Sequence, residues 1–292
     1  MTVYLPASLE EAFEAFELAP DADLLAGGTD YMVEVNSGHR HPSKVVALRK
    51  VGELAGWRRE GDEVVLGAGL TYTDLMQPDL SELLPGLAQA ARTVGSPQIR
   101  NVGTLGGNLG TASPAGDTLP VLSALDAVVV LGRRGSVRRL TMHEFVLGPK
   151  ATALEPGELI VEVRVPAALG SQEFLKVGTR NAMVIAVVNV ALVVDWVGRS
   201  VRCALGSVGP VPIRAGEAEA FAESRIDWAA GGLTGGAADL AEFAGLVRAA
   251  ARPIDDHRST AEYRTHAVGV CAHRALDRVL ARAGSWTLGH AS

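Results

Sequence analysis

Cysteine is nearly absent: Cys203 and Cys271 are the only two in 292 residues. Two thiols give no disulfide framework. They are also too few for an iron–sulfur cluster, which normally takes four protein ligands. Positive charge is not in excess. The net charge is −6, so nothing favours nucleic acid or an anionic membrane surface as a partner. Long apolar runs are missing as well. The longest, Ala182 to Val194, is broken by Asn189 and bounded by Asn181 and Asp195, short of the ~20 residues of a membrane span. Met1 to Glu14 is acidic and has no basic segment followed by an apolar one, so no signal peptide is expected and a reducing cytoplasm is the default. Two common phosphate motifs are lacking too. A Walker A loop ends in Gly-Lys-Ser/Thr, whereas Gly107 is followed by Asn108 and Leu109. The Gly-x-Gly-x-x-Gly fingerprint does not fit the spacing of Gly103 to Gly110. There are no internal repeats and no heptads.

What is present is glycine in two places. The stretch from Arg100 to Asp126 is dense in glycine, small hydroxyls and asparagine, yet lies between apolar segments. Successive glycines let the backbone turn its N–H groups to one side, and such clusters bind anions. Thr104, Asn108, Thr111 and Ser113 add neutral donors and acceptors suited to ribityl or ribose hydroxyls. Asp117 is poorly placed against a phosphate and is expected to accept hydrogen bonds from a neutral or cationic part of a ligand. Leu24 to Asp30 carries a second double glycine, Gly27-Gly28, after a short apolar strand. By composition alone these loops read equally as structural turns or as a nucleotide site.

The rest of the chain falls into three units. Ser8 and Glu11 form a capping box for a helix with Leu9, Ala12, Phe13 and Phe16 on one face. A strand over Asp23–Ala26, a short helix from about Thr29 to Asn36 and a strand over Lys44–Leu48 complete a small α/β unit. The helix start would face a pyrophosphate held at the glycine turn. A mostly antiparallel unit follows. It has a strand in Glu63–Leu70, helices over Leu83–Thr93 and Asp117–Ala124, a hairpin of Ala127–Leu131 with Ser136–Leu140 around Gly132–Gly135, and a half-exposed strand over Leu159–Val165. Thr71 to Asp74 has the residue types of a helix cap. A boundary is expected near Pro166–Ser171. Beyond it Glu173–Val177, Ile185–Asp195 and Ser200–Ser207 read as a meander backed by Ala-rich helices. Ser259 and Glu262 read as a second capping box, with Val268, Ala272, Ala275, Leu276 and Val279 on one face of the last helix. Gly231 to Gly236 reads as a flexible loop and Trp286 to Ser292 as a frayed tail.

Five groups of residues, in order, resemble a known family. They are Ala26-Gly27-Gly28-Thr29-Asp30; Ile99-Arg100-Asn101-Val102-Gly103-Thr104-Leu105-Gly106-Gly107-Asn108; Ala112-Ser113-Pro114-Ala115-Gly116-Asp117; Lys176-Val177-Gly178-Thr179-Arg180-Asn181-Ala182-Met183; and Pro253-Ile254-Asp255-Asp256 with Ser259-Thr260-Ala261-Glu262-Tyr263-Arg264. Together they resemble the medium, FAD-binding subunit of molybdenum hydroxylases, the xanthine dehydrogenase and carbon monoxide dehydrogenase family, over nearly the whole chain. The resemblance implies an α+β fold: a vanillyl-alcohol-oxidase-type FAD-binding domain over 1–168, with two α+β subdomains of about 1–57 and 58–168. A C-terminal flavoprotein domain over 169–285, a small antiparallel sheet with helices, and a tail over 286–292 would follow.

The same resemblance implies FAD as cofactor. Leu25, Ala26, Gly27, Gly28, Thr29, Asp30 and Tyr31 would wrap its diphosphate from one side, and Thr104, Leu105, Gly106, Gly107 and Asn108 from the other. Gly27, Gly28, Gly106 and Gly107 would donate main-chain N–H groups. Asp117 matches a position of the family's FAD site, Ile160 a main-chain contact, and Lys176 a lysine near the flavin that would favour its reduced form. Val94 stands where some relatives carry an aromatic residue. No catalytic residue and no metal ligand is assigned. The implied partners are a large molybdopterin-binding subunit, a small [2Fe–2S] subunit and an acceptor such as NAD+. The chain alone could not hydroxylate a substrate. The Val177–Ala186 run most resembles xanthine-dehydrogenase-type subunits. Carbon monoxide or N-heterocycle dehydrogenation, and a flavin-free assembly subunit, are the alternatives.

Other residues read blandly. His39 and His41 fit a solvated loop better than a metal site, since no carboxylate or cysteine cluster supports one. Asp255 and Asp256, beside Arg252 and Arg258, read as a salt-bridged corner rather than an acid–base pair. Without the resemblance, Lys176 reads as a solvated strand lysine. Cys203 and Cys271 read as buried and inert.

Overall fold

Three main sheets succeed one another along the chain in the computed structural model, which describes residues 1–167 and 170–283. The tail expected at 286–292 lies outside the described residues. The first sheet is parallel. It is built from β1 (Thr2–Tyr4), α1 (Leu9–Leu18), β2 (Asp23–Leu25), α2 (Tyr31–Asn36) and β3 (Lys44–Ala47), in the order β1-β3-β2. Ser8 caps α1 by accepting the Glu11 N–H, and Ala12, Ala15 and Phe16 are its buried face. The short helix begins at Tyr31, two residues later than the sequence reading, because the chain is still turning at Thr29 and Asp30.

The second part runs through β4 (Trp57–Glu60), β5 (Glu63–Gly67), α3 (Pro78–Leu83), α4 (Pro85–Thr93), α5 (Pro97–Arg100), α6 (Leu105–Thr111), α7 (Thr118–Ala124), β6 (Val128–Arg133), β7 (Ser136–Thr141), α8 (Met142–Phe145), β8 (Val146–Gly148), β9 (Ala151–Thr152) and β10 (Leu159–Pro166). Its five-stranded sheet has the order β4-β5-β10-β6-β7, with antiparallel pairs throughout. The pairing of β10 with β6 slips between Ile160 and Glu162. This bulge frees the Val161 carbonyl to accept the Ala68 N–H, a local bend of the kind bulges impose. The stretch after Arg100, read as an open glycine-rich loop, contains the two-turn helix α6.

The third part comprises β11 (Ser171–Gly178), β12 (Ala186–Asp195), β13 (Ser200–Gly206), β14 (Ile213–Arg214), α9 (Gly216–Arg225), β15 (Ile226–Asp227), β16 (Gly232–Leu233), α10 (Ala237–Ala250) and α11 (Ala261–Ala281). The meander order is β11-β12-β13-β14. Strand β12 is buried on both faces, which explains its near-continuous apolar run. Ala191 and Val193 join the core of the preceding sheets, while Val190, Leu192 and Val194 join a second core under α10 and α11. Two readings are corrected here. Gly231 to Gly236 is not merely a loop, because Gly232–Leu233 pairs with Ile226–Asp227. The last helix is capped by Thr260, which accepts the Tyr263 N–H, while Ser259 pairs back onto Asp256.

Candidate functional site

Strands β2 and β3 are parallel neighbours with Leu25 opposite Ala47. The segments that leave their carboxyl ends, 26–30 and 48–50, therefore start side by side. Gly27 sits against the Val102–Gly103 backbone so tightly that a Cβ would lie 1.9 Å from the Val102 carbonyl oxygen. Only glycine closes this seam. Gly28 has φ +76°, which turns the next peptides to one side. Among the described residues no protein acceptor meets the N–H groups of Gly27, Gly28, Thr29 or Asp30. Such a row of free donors is an anion seat.

These donors open into a cleft of about 660 Å³, within the range of cofactor sites. Of the expected residues, Ala26 through Tyr31, Thr104, Gly106, Gly107, Asn108 and Ile160 line it, as do Thr111 and Ser113. Leu25, Leu105, Asp117 and Lys176 are not on its lining. Leu105 is wholly buried in the core. The Leu25 side chain lies beneath Gly28, 3.2 Å from where a Cβ would stand. Val94 is half-buried against the core and also lies off the cleft.

The second glycine loop does not offer its donors. At the start of α6 the Leu105 N–H bonds the Leu70 carbonyl (2.8 Å) and the Gly106 N–H the Ala68 carbonyl (2.8 Å). The Gly107 N–H bonds Thr104 Oγ1 (3.0 Å), and the Asn108 N–H bonds the Thr104 carbonyl (3.0 Å). The expectation that Gly106 and Gly107 donate to a diphosphate is therefore corrected: the protein consumes both N–H groups. Their glycine character serves close approach instead. A Cβ on Gly106 would meet Ala68 at 2.8 Å.

Asp117 also differs from expectation. Its acceptors are used by protein groups, not left for a ligand. Lys176 Nζ donates to Oδ2 at 2.5 Å, Thr93 Oγ1 to Oδ2 at 3.0 Å and Asn189 Nδ2 to Oδ1 at 2.9 Å. Lys176 is accordingly no solvated lysine. Its side chain is 8% exposed and Asp117's 4%, so the pair is a buried ion pair behind the cleft wall. The next residue, Thr118, donates to Asn108 Oδ1 at 2.5 Å and so joins this pair to the lining.

Several lining residues carried no sequence signal. At the rim, Arg40 bonds Asp23 and Glu34 at 3.0 Å each, and Lys150 bonds Glu34 at 3.2 Å. Burial, then the hydrogen bond to Asp23, pushes the Tyr31 phenol up to about 12. Arg49 and Tyr72 line the cleft as well. Arg49 was findable only by pairing the two strand ends. Burial, with Asp30 and Asp117 nearby, pushes the Tyr72 phenol above its ordinary value. The residues present thus fit a dinucleotide: a donor row for phosphates, hydroxyls for sugar oxygens and apolar walls.

Among the described residues no group of His, Cys, Asp or Glu is placed to hold a metal, and His39 Nδ1 bonds Ser37 Oγ at 2.6 Å. Burial pushes up both thiols, Cys271 to about 11. Asp256 is ion-paired to Arg258 and to the deeply buried Arg264. Arg252 takes no part in that corner and donates to the Ala249 and Ala251 carbonyls. Among the described residues no helix is long and apolar enough to cross a membrane.

Comparison with known proteins agrees with this geometry. Residues 1–168 match the FAD binding domain in molybdopterin dehydrogenase, and residues 173–279 match the CO dehydrogenase flavoprotein C-terminal domain. The nicotinate dehydrogenase FAD-subunit of Eubacterium barkeri is 34% identical over 229 residues, 74% of this chain and 77% of that one. The carbon monoxide dehydrogenase medium chain of Hydrogenophaga pseudoflava is 33% identical over 285 residues, 96% of each. A chain in a solved structure of carbon monoxide dehydrogenase from that organism superposes with a TM-score of 0.85 at 32% identity, covering 97% of this chain and 98% of that one. The xanthine dehydrogenase FAD-binding subunit of Escherichia coli O157:H7 is 27% identical over 287 residues, 95% of each. The chain belongs to the FAD-binding medium subunits of the molybdenum hydroxylases, a family of oxidoreductases.

Proposed function

We propose that this chain holds FAD in the cleft and passes electrons, received from the [2Fe–2S] clusters of a small partner subunit, to NAD+ or another acceptor. A large molybdopterin-binding partner carries out the substrate oxidation. The observation that carries this reading is the row of unclaimed N–H groups from Gly27 to Asp30, opening into a dinucleotide-sized cleft. Bound FAD supplies a centre that exchanges electrons singly or in pairs. Gly27 to Asp30 hold the diphosphate, Thr111 and Ser113 meet sugar oxygens, and Ile160 gives an apolar wall. Asp117 and Lys176 act from behind, through Thr118 and Asn108. The two thiols, both buried and unpaired, suit a cytoplasmic location.

The substrate is chosen on the large subunit. Purine oxidation of the xanthine type is one reading, carried by the Val177–Ala186 run. Relatives above 30% identity include ones named for nicotinate and for carbon monoxide, and their higher identity favours those two over the xanthine type, whose relative is at 27%. Assays of the co-purified complex on xanthine, nicotinate and carbon monoxide separate the three. The first test is an absorbance spectrum of the purified chain before and after denaturation. Flavin bands at about 370 and 450 nm, with about one FAD released per chain, are expected. A colourless protein that cannot be reconstituted with FAD would replace this reading with the flavin-free assembly subunit.

A further inference from the structure

Tyr72 follows β5 and is 5% exposed, yet its hydroxyl has no hydrogen-bond partner among the described residues, and it lines the cleft. The ring is buried while the hydroxyl, which is not among the buried polar atoms left without a partner, opens onto the cleft, where a ligand can take its hydrogen bond. Its position is fixed from both sides. The Tyr72 N–H bonds the Gly103 carbonyl at 3.1 Å. The ring stands 2.8 Å from where a Gly103 Cβ would be, and Gly103 Cα is 2.9 Å from where a Gly27 Cβ would be. Tyr72, Gly103 and Gly27 are thus stacked one against the next, which sets the phenol beside the free donor row. Burial, and then the Asp30 and Asp117 carboxylates, raise the phenol's proton affinity, so the hydroxyl stays a donor.

The charges of the lining supply a second observation. Asp30 and Glu34 both face the cleft. Glu34 is matched by Arg40 and Lys150, whereas Asp30 has only the Thr111 hydroxyl at 3.2 Å. An entering diphosphate would meet Asp30 unscreened. Among the described residues Arg49 is the one cation of the lining with no ion pair or hydrogen bond of its own. It lies two residues beyond Ala47, as Gly27 lies two beyond Leu25, on paired parallel strands.

We propose that Tyr72 and Arg49 are the side-chain half of the diphosphate seat. The Tyr72 hydroxyl donates to a phosphate oxygen, and the Arg49 guanidinium supplies the counter-charge. This rests on the FAD reading above and assigns two residues to it. The test compares wild type with Tyr72→Phe and Arg49→Gln, titrating deflavinated protein with FAD, ADP and riboflavin. ADP carries the diphosphate without the ring; riboflavin carries the ring without phosphate. Each variant is expected to weaken FAD and ADP by about tenfold, the loss of one charge-assisted hydrogen bond, and to leave riboflavin unchanged. Added salt weakens FAD binding to wild type and Tyr72→Phe more than to Arg49→Gln. Release of FAD from the holoprotein, followed by recovery of flavin fluorescence, gives the same ranking without stripping. Phe keeps the ring against Gly103, and Arg49 is exposed, so melting temperatures without flavin should match wild type. Unchanged FAD and ADP affinity in both variants, or an equal loss for riboflavin, overturns the proposal. A loss confined to one variant overturns the role of the other. A wild type that binds no FAD overturns the functional reading instead.

Discussion

Gly27 is the residue on which the cleft closes, and its test is steric. A Cβ there would meet the Val102 carbonyl oxygen at 1.9 Å and Gly103 Cα at 2.9 Å, both backbone, so no side chain can yield. Gly27→Ala is expected to push the two loops apart, lower the melting temperature by several degrees and leave little FAD bound per chain. Full FAD content in that variant would refute the seam. Gly28→Ala differs in kind. It keeps the N–H, adds left-handed strain of about 1–2 kcal/mol and sets a Cβ 3.2 Å from the Leu25 side chain, which is flexible enough to yield, so it should bind FAD with reduced stability. At Asp256 the residue-scale effect is electrostatic. Burial works against its charge, but Arg258 and Arg264 hold the carboxyl well below the usual carboxylate range. A depressed folded-state pKa contributes stability above the unfolded value of about 3.9 and loses it as pH falls below that. Asp256→Asn is therefore expected to melt lower than wild type at pH 7, with the gap narrowing below about pH 4. A gap that stays constant with pH would refute the linkage.

At the scale of elements, the sequence showed what is local and hid what is paired at a distance. Ser8 as a cap, the alternating β10 and the Gly27-Gly28 turn were legible because each is written in adjacent residues. The consumption of the α6 donors was not, since the acceptors Leu70 and Ala68 come from the exit of β5. A free and a spent glycine loop look alike in sequence; only the fold decides which one faces a ligand. Tyr72 was read as part of a cap for the same reason. The cap itself was misplaced by one residue at α11, where Ser259 and Thr260 are adjacent hydroxyls and only the turn onto Asp256 chooses between them. Asp117 was legible as the odd negative group, but its partner Lys176 lies 59 positions away. That pair joins the start of α7 to β11, with Asn189 of β12 completing it. Lys176→Met leaves a buried carboxylate without its cation and is expected to cost about 3–5 kcal/mol in denaturant unfolding. Adding Asp117→Asn should recover part of that loss. A strictly additive double variant would show that the two side chains are not coupled.

At the scale of the whole molecule, the meander sheet is shared property. One face of β12 and β11 packs on α7 and α4, and the other lies under α11. The site and its stability therefore have different addresses. All the cleft's lining residues lie at or before Ile160, but the wall behind them leans on Phe174, Ala191, Val193 and Ala204. Asp117 draws its cation and its amide from the same later strands. A fragment of residues 1–167 would keep every lining group and lose that support. It would also expose the apolar sides of α4 and α7, with each uncovered large side chain forfeiting about 1.5–3 kcal/mol. Against a total stability of about 5–15 kcal/mol, a few such side chains suffice to unfold it. The fragment is expected to aggregate or to elute as an expanded, flavin-free species with weak near-ultraviolet dichroism, while the full chain unfolds in one transition. A soluble, monomeric 1–167 fragment with sharp near-ultraviolet bands and bound FAD would show that the first two sheets stand alone, and that the meander serves partner contact rather than the cleft.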